Sequence, residues 1–201
     1  MGRPFFHQPQ QSAYRAPPSD ETRTMESNTT KFTEAAPAPQ GAEWQVWSDG
    51  ASLGNPGPAG WATLVRRPDG TGIEQCGSAD HRTNNEAELH ALLKAVKAVP
   101  VGCPAVVFSD SEYSIKVATT DRPRWEANGM KTSKGKPVKN QDRILKLWAA
   151  LDERPQVRLE WVKGHAGDEG NEIVDALANR AAEAVRAGGK PKTRITRELA
   201  A

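Results

Sequence analysis

The sequence predicts an α/β fold, a mixed sheet with helices packed on its faces, and three observations predict it. Short runs that read as strands alternate with longer segments of helical period, in the order β-β-β-α-β-α-α-β-α. A Gly/Pro turn at Leu53–Gly57 and an Asp69–Gly70 turn separate the first three strands, as consecutive hairpins require. Leu89, Leu92, Leu93, Val96 and Val99, and later Ile173, Val174, Leu177, Ala178 and Ala181, recur at helical spacing.

In chain order, residues 44–48 (WQVWS) read as the first strand, 60–67 (GWATLVRR) as the second and 72–78 as the third. A helix follows over 84–99, with Thr83 or Asn84 placed to cap it. Residues 105–109 (AVVFS) form a short buried strand that ends at Asp110. A short helix at Tyr113–Ala118, a Pro/Gly/Lys-rich stretch, a helix near 141–151, a strand over 157–162 and a last helix complete the order. Two segments fall outside it. Residues 1–42 are rich in Pro, Gln, Ser and Thr with almost no aliphatic side chains, so they read as a disordered tail. Residues 188–201 read as a frayed, basic, flexible tail, which leaves 43–187 as the folded domain.

Composition narrows the function classes. The chain has 201 residues, of which 37% are hydrophobic, enough for one core. A net charge of +2 does not announce a nucleic-acid binder, so any polyanion site must come from local clustering. Cys76 and Cys103 have neither metal-ligand spacing nor the density of a disulfide scaffold, and they read as reduced thiols. No apolar run approaches the ~20 residues of a membrane span. A cytoplasmic protein, monomeric by default, is the expectation.

Four carboxylates fall where chemistry is usually built. Asp49 closes the first strand, Asp110 closes the fourth, Glu88 lies early in the first helix and Asp175 lies in the last. Hard oxygen donors of this kind suit Mg²⁺ or Mn²⁺. Among 25 acidic residues any single one is ordinary surface charge, so the weight falls on the flanking sequence.

Asp49 lies in SDGASLGNPGPAGW, Glu88 in RTNNEAELHALLKAV, Asp110 in VVFSDSEYSIKV, and Asp175 follows WVKGHAGDEGNEIV. With KPVKN at 136–140, these blocks closely resemble, in order and separation, the signature segments of ribonuclease H of the bacterial type 1. The resemblance runs from Trp44 to about Ala182. It implies a five-stranded mixed sheet whose first three strands are antiparallel. It also implies two-metal hydrolysis of the RNA strand of an RNA–DNA hybrid, leaving 3′-hydroxyl and 5′-phosphate ends. Two Mg²⁺ ions, with Mn²⁺ as the alternative, are the implied cofactors. Asp49 matches the bridging aspartate, Glu88 and Asp110 the residues completing the first site, and Asp175 the residue completing the second. His165 matches a mobile-loop histidine linked to proton transfer or product release, and Gly164 and Gly167 make its loop pliable. Asn171, four residues before Asp175, matches a residue that orients the site. The Asp168-Glu169 pair after His165 departs from many relatives and adds negative charge.

Hybrid recognition requires reading 2′-hydroxyls on one strand and deoxyribose on the other. By the same resemblance, Ser52, Gly54 and Asn55 of the SLGNPG loop, with Asn84, Asn85 and Glu112, match positions that contact the two strands. Thr83 and Asn140 match part of a pocket for a DNA-strand phosphate, although His81 stands where an arginine is common. Between Lys116 and Lys146, nine Lys/Arg face three acidic residues, corresponding to the family's basic protrusion. Trp125 is expected there as an aromatic platform, and Met130 stands where a second aromatic is common. The other tryptophans (Trp44, Trp47, Trp61, Trp148, Trp161) are expected in the core. A junction resolvase or integrase core shares the acidic cluster but not the TNN, GNPG and VKGHAG blocks together. A detached reverse-transcriptase nuclease domain is nearer. A non-catalytic hybrid-binding module is disfavoured because all four carboxylates are present.

Overall fold

The computed structural model describes residues 43–192 and 194–200; the segment 1–42, expected as a disordered tail, lies outside them. Eleven elements follow in order: β1 (Trp44–Ser52), β2 (Gly57–Arg66), β3 (Gly72–Arg82), α1 (Asn84–Ala98), β4 (Ala105–Ser109), α2 (Glu112–Ala118), α3 (Arg122–Ala127), α4 (Gln141–Asp152), β5 (Val157–Trp161), α5 (Glu169–Arg186) and β6 (Ile195–Leu199). They form one six-stranded sheet in the order β5-β4-β1-β2-β3-β6. β1, β2 and β3 are antiparallel, while β4 runs parallel to β1 and β5 parallel to β4. The mixed sheet and its antiparallel first three strands are as expected.

Strand alternation divides the core between the two faces. Val46 joins Leu89, Leu92, Val96, Val107, Ile144 and Leu147 under α1 and α4. Its neighbour Trp47 joins Ala62, Leu64, Val174 and Ala178 under α5. α5 lies so close to β2 that a Cβ on Gly60 would sit 2.0 Å from the Ala178 carbonyl oxygen. α1 begins with a full capping box: the Thr83 hydroxyl accepts from the Glu86 amide, and the Glu86 carboxylate accepts from the Thr83 amide at 2.9 Å.

Four expectations are corrected. The sheet has six strands, because the C-terminal stretch expected to fray forms β6, with Gly72 opposite Leu199 and Cys76 opposite Ile195. β3 otherwise offers an open edge, and Leu199 packs onto the α5-side core. Second, β1 runs on past Asp49, since Gly50, Ala51 and Ser52 pair with Trp61, Gly60 and Ala59. Asp49 is therefore an interior residue of β1. Third, Trp125 is 9% exposed and packs in the α1-side core with Met130 and Val138, so it offers no open stacking platform. Trp161 is the reverse case: expected in the core, it is 47% exposed and donates its indole N–H to the Asp110 carbonyl at 3.0 Å.

Candidate active site

The four carboxylates, far apart in sequence, line one open cleft of about 320 Å³ together with Ser52, Asn84 and Asn179. Asp49 is presented from β1, Glu88 from the second turn of α1, Asp110 from the residue after β4, and Asp175 from α5. Gly50 is what lets two of them meet. A Cβ there would sit 2.2 Å from the Ala87 carbonyl carbon and 2.3 Å from the Glu88 nitrogen, so α1 lies directly against β1 beside the carboxylates.

Each carboxylate except Asp49 is held by neutral donors. Glu88 accepts from the Asn84 amide at 2.7 Å and from the Ser111 hydroxyl at 2.5 Å. Asp110 accepts from the Asn171 amide at 3.1 Å, and Asp175 from the Asn179 amide at 2.8 Å. Among the described residues no Lys or Arg lines the cleft, so its negative charge is oriented without being neutralised by them. Burial, then the neighbouring Asp110, pushes the Asp49 carboxyl up to about 7, with Asp175 and Glu88 adding to it against the Gly50 amide. Glu88 is raised as well, by burial and by Asp110, against the Ser111 and Asn84 hydrogen bonds.

This donor set fits a divalent cation. It offers four hard oxygen-bearing groups, and the Oδ1 of Asn171, 1% exposed, is buried without a partner beside Asp110. Among the described residues, no three His, Cys, Asp or Glu groups by themselves form a ready metal-holding cluster. Mg²⁺ characteristically completes its shell with water and substrate phosphate, so it needs only a few protein carboxylates.

The other expected residues fall into three places. Asn55, Thr83, Asn85 and Asn140 line a separate pocket of about 260 Å³ with Tyr113 and Lys139. Asn140 adopts a left-handed φ of 58° and donates its amide to the Tyr113 hydroxyl at 3.3 Å. Ser52 acts as a strut, its hydroxyl directed to the Arg82 carbonyl at 2.8 Å and to the Gly54 carbonyl, where φ is +122°. Glu112 is exposed and ion-paired to Lys116 at 2.8 Å. His165 lies outside the cleft lining, on an exposed loop with φ 53°. Its neighbour Gly164 packs on Asp110: a Cβ there would meet the carboxylate oxygen at 2.7 Å. The two acidic residues after it are engaged. Asp168 caps α5 by accepting from the Asn171 amide N–H at 2.8 Å, and Glu169 pairs with Arg66 at 3.2 Å. Sequence reasoning did not single out Asn179 and Ser111. Their signals were an amide one helical turn after Asp175 and a serine beside Asp110.

The RNase H family profile matches residues 41–183. Ribonuclease H of Bordetella bronchiseptica is 42% identical over 149 residues, covering 73% of this chain and 93% of that protein. Ribonuclease HI of Pseudomonas aeruginosa is 44% identical over 138 residues, covering 67% and 90% respectively. Among solved structures, the N-terminal RNase H domain of a Mycobacterium tuberculosis protein superposes with a TM-score of 0.57 at 26% identity, covering 73% of this chain and 98% of that one. With a carboxylate-lined cleft on a mixed sheet and these matches across the same residues, the chain belongs to the ribonuclease H family, in its bacterial type 1 branch.

Proposed function

We propose that this nuclease hydrolyses the RNA strand of RNA–DNA hybrids in the carboxylate cleft, leaving 3′-hydroxyl and 5′-phosphate ends. The observation that carries the reading is the cleft itself: four carboxylates, aimed by neutral amides and a hydroxyl, beside the Ser52–Asn55 loop. Asp49 would stand between two Mg²⁺ (or Mn²⁺) ions, with Glu88 and Asp110 on the water side and Asp175 on the leaving-group side. Cations held there supply Lewis acidity to both sides of the scissile phosphate. The chain's own groups do the rest. Asn84 and Ser111 fix Glu88, Asn171 fixes Asp110, and Asn179 fixes Asp175, so the donors need little reorganisation during reaction. His165, carried on its exposed loop, takes part in proton transfer or product release. Asn84, Asn85 and Glu112 contact the strands near the cut. Thr83 and Asn140 seat a DNA-strand phosphate in the second pocket, which Asn85 and Lys139 also line.

The test is strand-specific: hybrid, double-stranded DNA and double-stranded RNA of one sequence, each end-labelled, are incubated with Mg²⁺. Cleavage of the hybrid's RNA strand alone, with 5′-phosphate products, is the expected result; equal cutting of double-stranded DNA overturns the hybrid reading. The support given by Asn179 can be measured separately. Asn179→Ala is expected to lower activity about 10–100-fold and weaken the apparent Mg²⁺ affinity, as loss of a ligand-orienting group does. A Mg²⁺ titration of the cleavage rate checks this.

A further inference from the structure

A second groove, of about 240 Å³, lies outboard of α1, away from the carboxylates. α1 packs on β1 and β2. Beyond it the groove opens over Ser78 and Ala79 of β3, with Trp61, Arg82, His90 and Lys94 around it. Its character is positive. Lys94 lies over the Trp61 ring at 5.4 Å, and His90 meets the edge of the same ring at 5.4 Å. Among the described residues, neither Arg82 nor Lys94 forms an ion pair. Glu86, the one carboxylate of the lining among the described residues, is already engaged by the Thr83 cap and by Arg143 at 3.6 Å. Burial, then the charges of Lys94, Arg143 and Arg82, lowers the His90 imidazole to about 4, so the positive charge of the groove is that of Arg82 and Lys94. Trp61 itself is 5% exposed, so the ring is a floor and not a stacking surface. The groove is therefore shaped for a compact anion.

Its place says which anion. Arg82 is the last residue of β3 and directly precedes Thr83, which lines the second pocket. The Arg82 carbonyl is tied to Ser52 in the carboxylate cleft. We propose that the groove of Trp61, Arg82, His90 and Lys94 is an auxiliary phosphate site that seats a backbone phosphate of the hybrid beyond the cleavage cleft. The inference rests on the hybrid reading above. It adds Arg82 and Lys94, which line neither the carboxylate cleft nor the second pocket, as a further grip.

The test compares the parent, Lys94→Gln and Lys94→Arg by steady-state cleavage of a long hybrid across a series of salt concentrations, with melting curves as the control. For Lys94→Gln, KM is expected to rise about three- to tenfold, with the loss falling on KM and not on kcat. The slope of log KM against log salt should fall by about 0.9, the value for one lost phosphate contact. Lys94→Arg should restore both. An unchanged salt slope with an active parent overturns this inference alone. So does a rise in KM that tracks a lowered melting temperature and is not rescued by arginine, since that marks Lys94 as packing on Trp61. A parent that neither binds nor cuts the hybrid overturns the hybrid reading as well, which separates the two failures.

Discussion

Asp49→Asn is expected to abolish hydrolysis, by at least about a thousandfold, and at the same time to stabilise the metal-free protein at neutral and alkaline pH. The first effect follows from removing the central anionic donor of the cleft. The second follows from the position of its carboxyl, held at about 7 when its ordinary value is 3.8, by burial first and by Asp110 next. A carboxyl raised on folding contributes stability that is fully present below about 3.8 and lost as pH rises through about 7. Above that the buried anion is a standing cost, on the order of 4 kcal/mol at the upper end, from about 1.36 kcal/mol per pH unit. Asparagine keeps the shape without the charge. In chelator at pH 8 the variant should melt above the parent; near pH 4 the two should converge. Mg²⁺ should reverse the order by stabilising the parent selectively. Melting curves at the two pH values, with and without Mg²⁺, check each part.

Gly50→Ala is expected to destabilise the domain strongly and to disturb the cleft at the same time. A Cβ at this position meets Ala87 and Glu88 backbone atoms at 2.2–2.5 Å, and backbone cannot turn aside as a side-chain tip can. The loss of stability is expected to exceed the ~1–3 kcal/mol usual for core overpacking. α1 must move off β1, and it carries Glu88 with it, so whatever folds should cut at least about 100-fold more slowly. Denaturant unfolding together with single-turnover cleavage measures both. A variant with parental stability and rate would contradict the close approach of α1 to β1.

Much of this architecture was legible in local pattern. The helical spacing of Leu89, Leu92, Leu93 and Val96 marks the buried face of α1, and all four are buried. Asp69–Gly70 marks the β2–β3 turn. The carboxylates were legible only through their neighbours, because an isolated Asp or Glu carries no sign of what the fold will set beside it. What escaped depends on distant partners. Trp125, Met130 and Val138 lie in a Lys/Gly/Pro-rich stretch without periodicity, and they become core by packing under residues far along the chain. ITREL at 195–199 is short, with two of its five residues charged, and it pairs with the open edge of β3, which its own residues do not announce. Asp49 reads as a strand end because the apolar run WQVWS stops before it, whereas β1 continues through Gly50, Ala51 and Ser52 by pairing with β2. Asn179 and Ser111 are common surface types whose aim at Asp175 and Glu88 is set by tertiary geometry.

One cleavage series decides whether the carboxylate cleft holds divalent cations and cuts RNA paired to DNA. A hybrid with its RNA strand labelled is incubated with the parent and with Asp49→Asn at rising Mg²⁺. No products are expected without metal, with Mg²⁺-dependent cutting of the RNA strand by the parent and none by the variant at any Mg²⁺ concentration. Cutting by the parent in chelator, or by Asp49→Asn at the parental rate, would contradict this expectation.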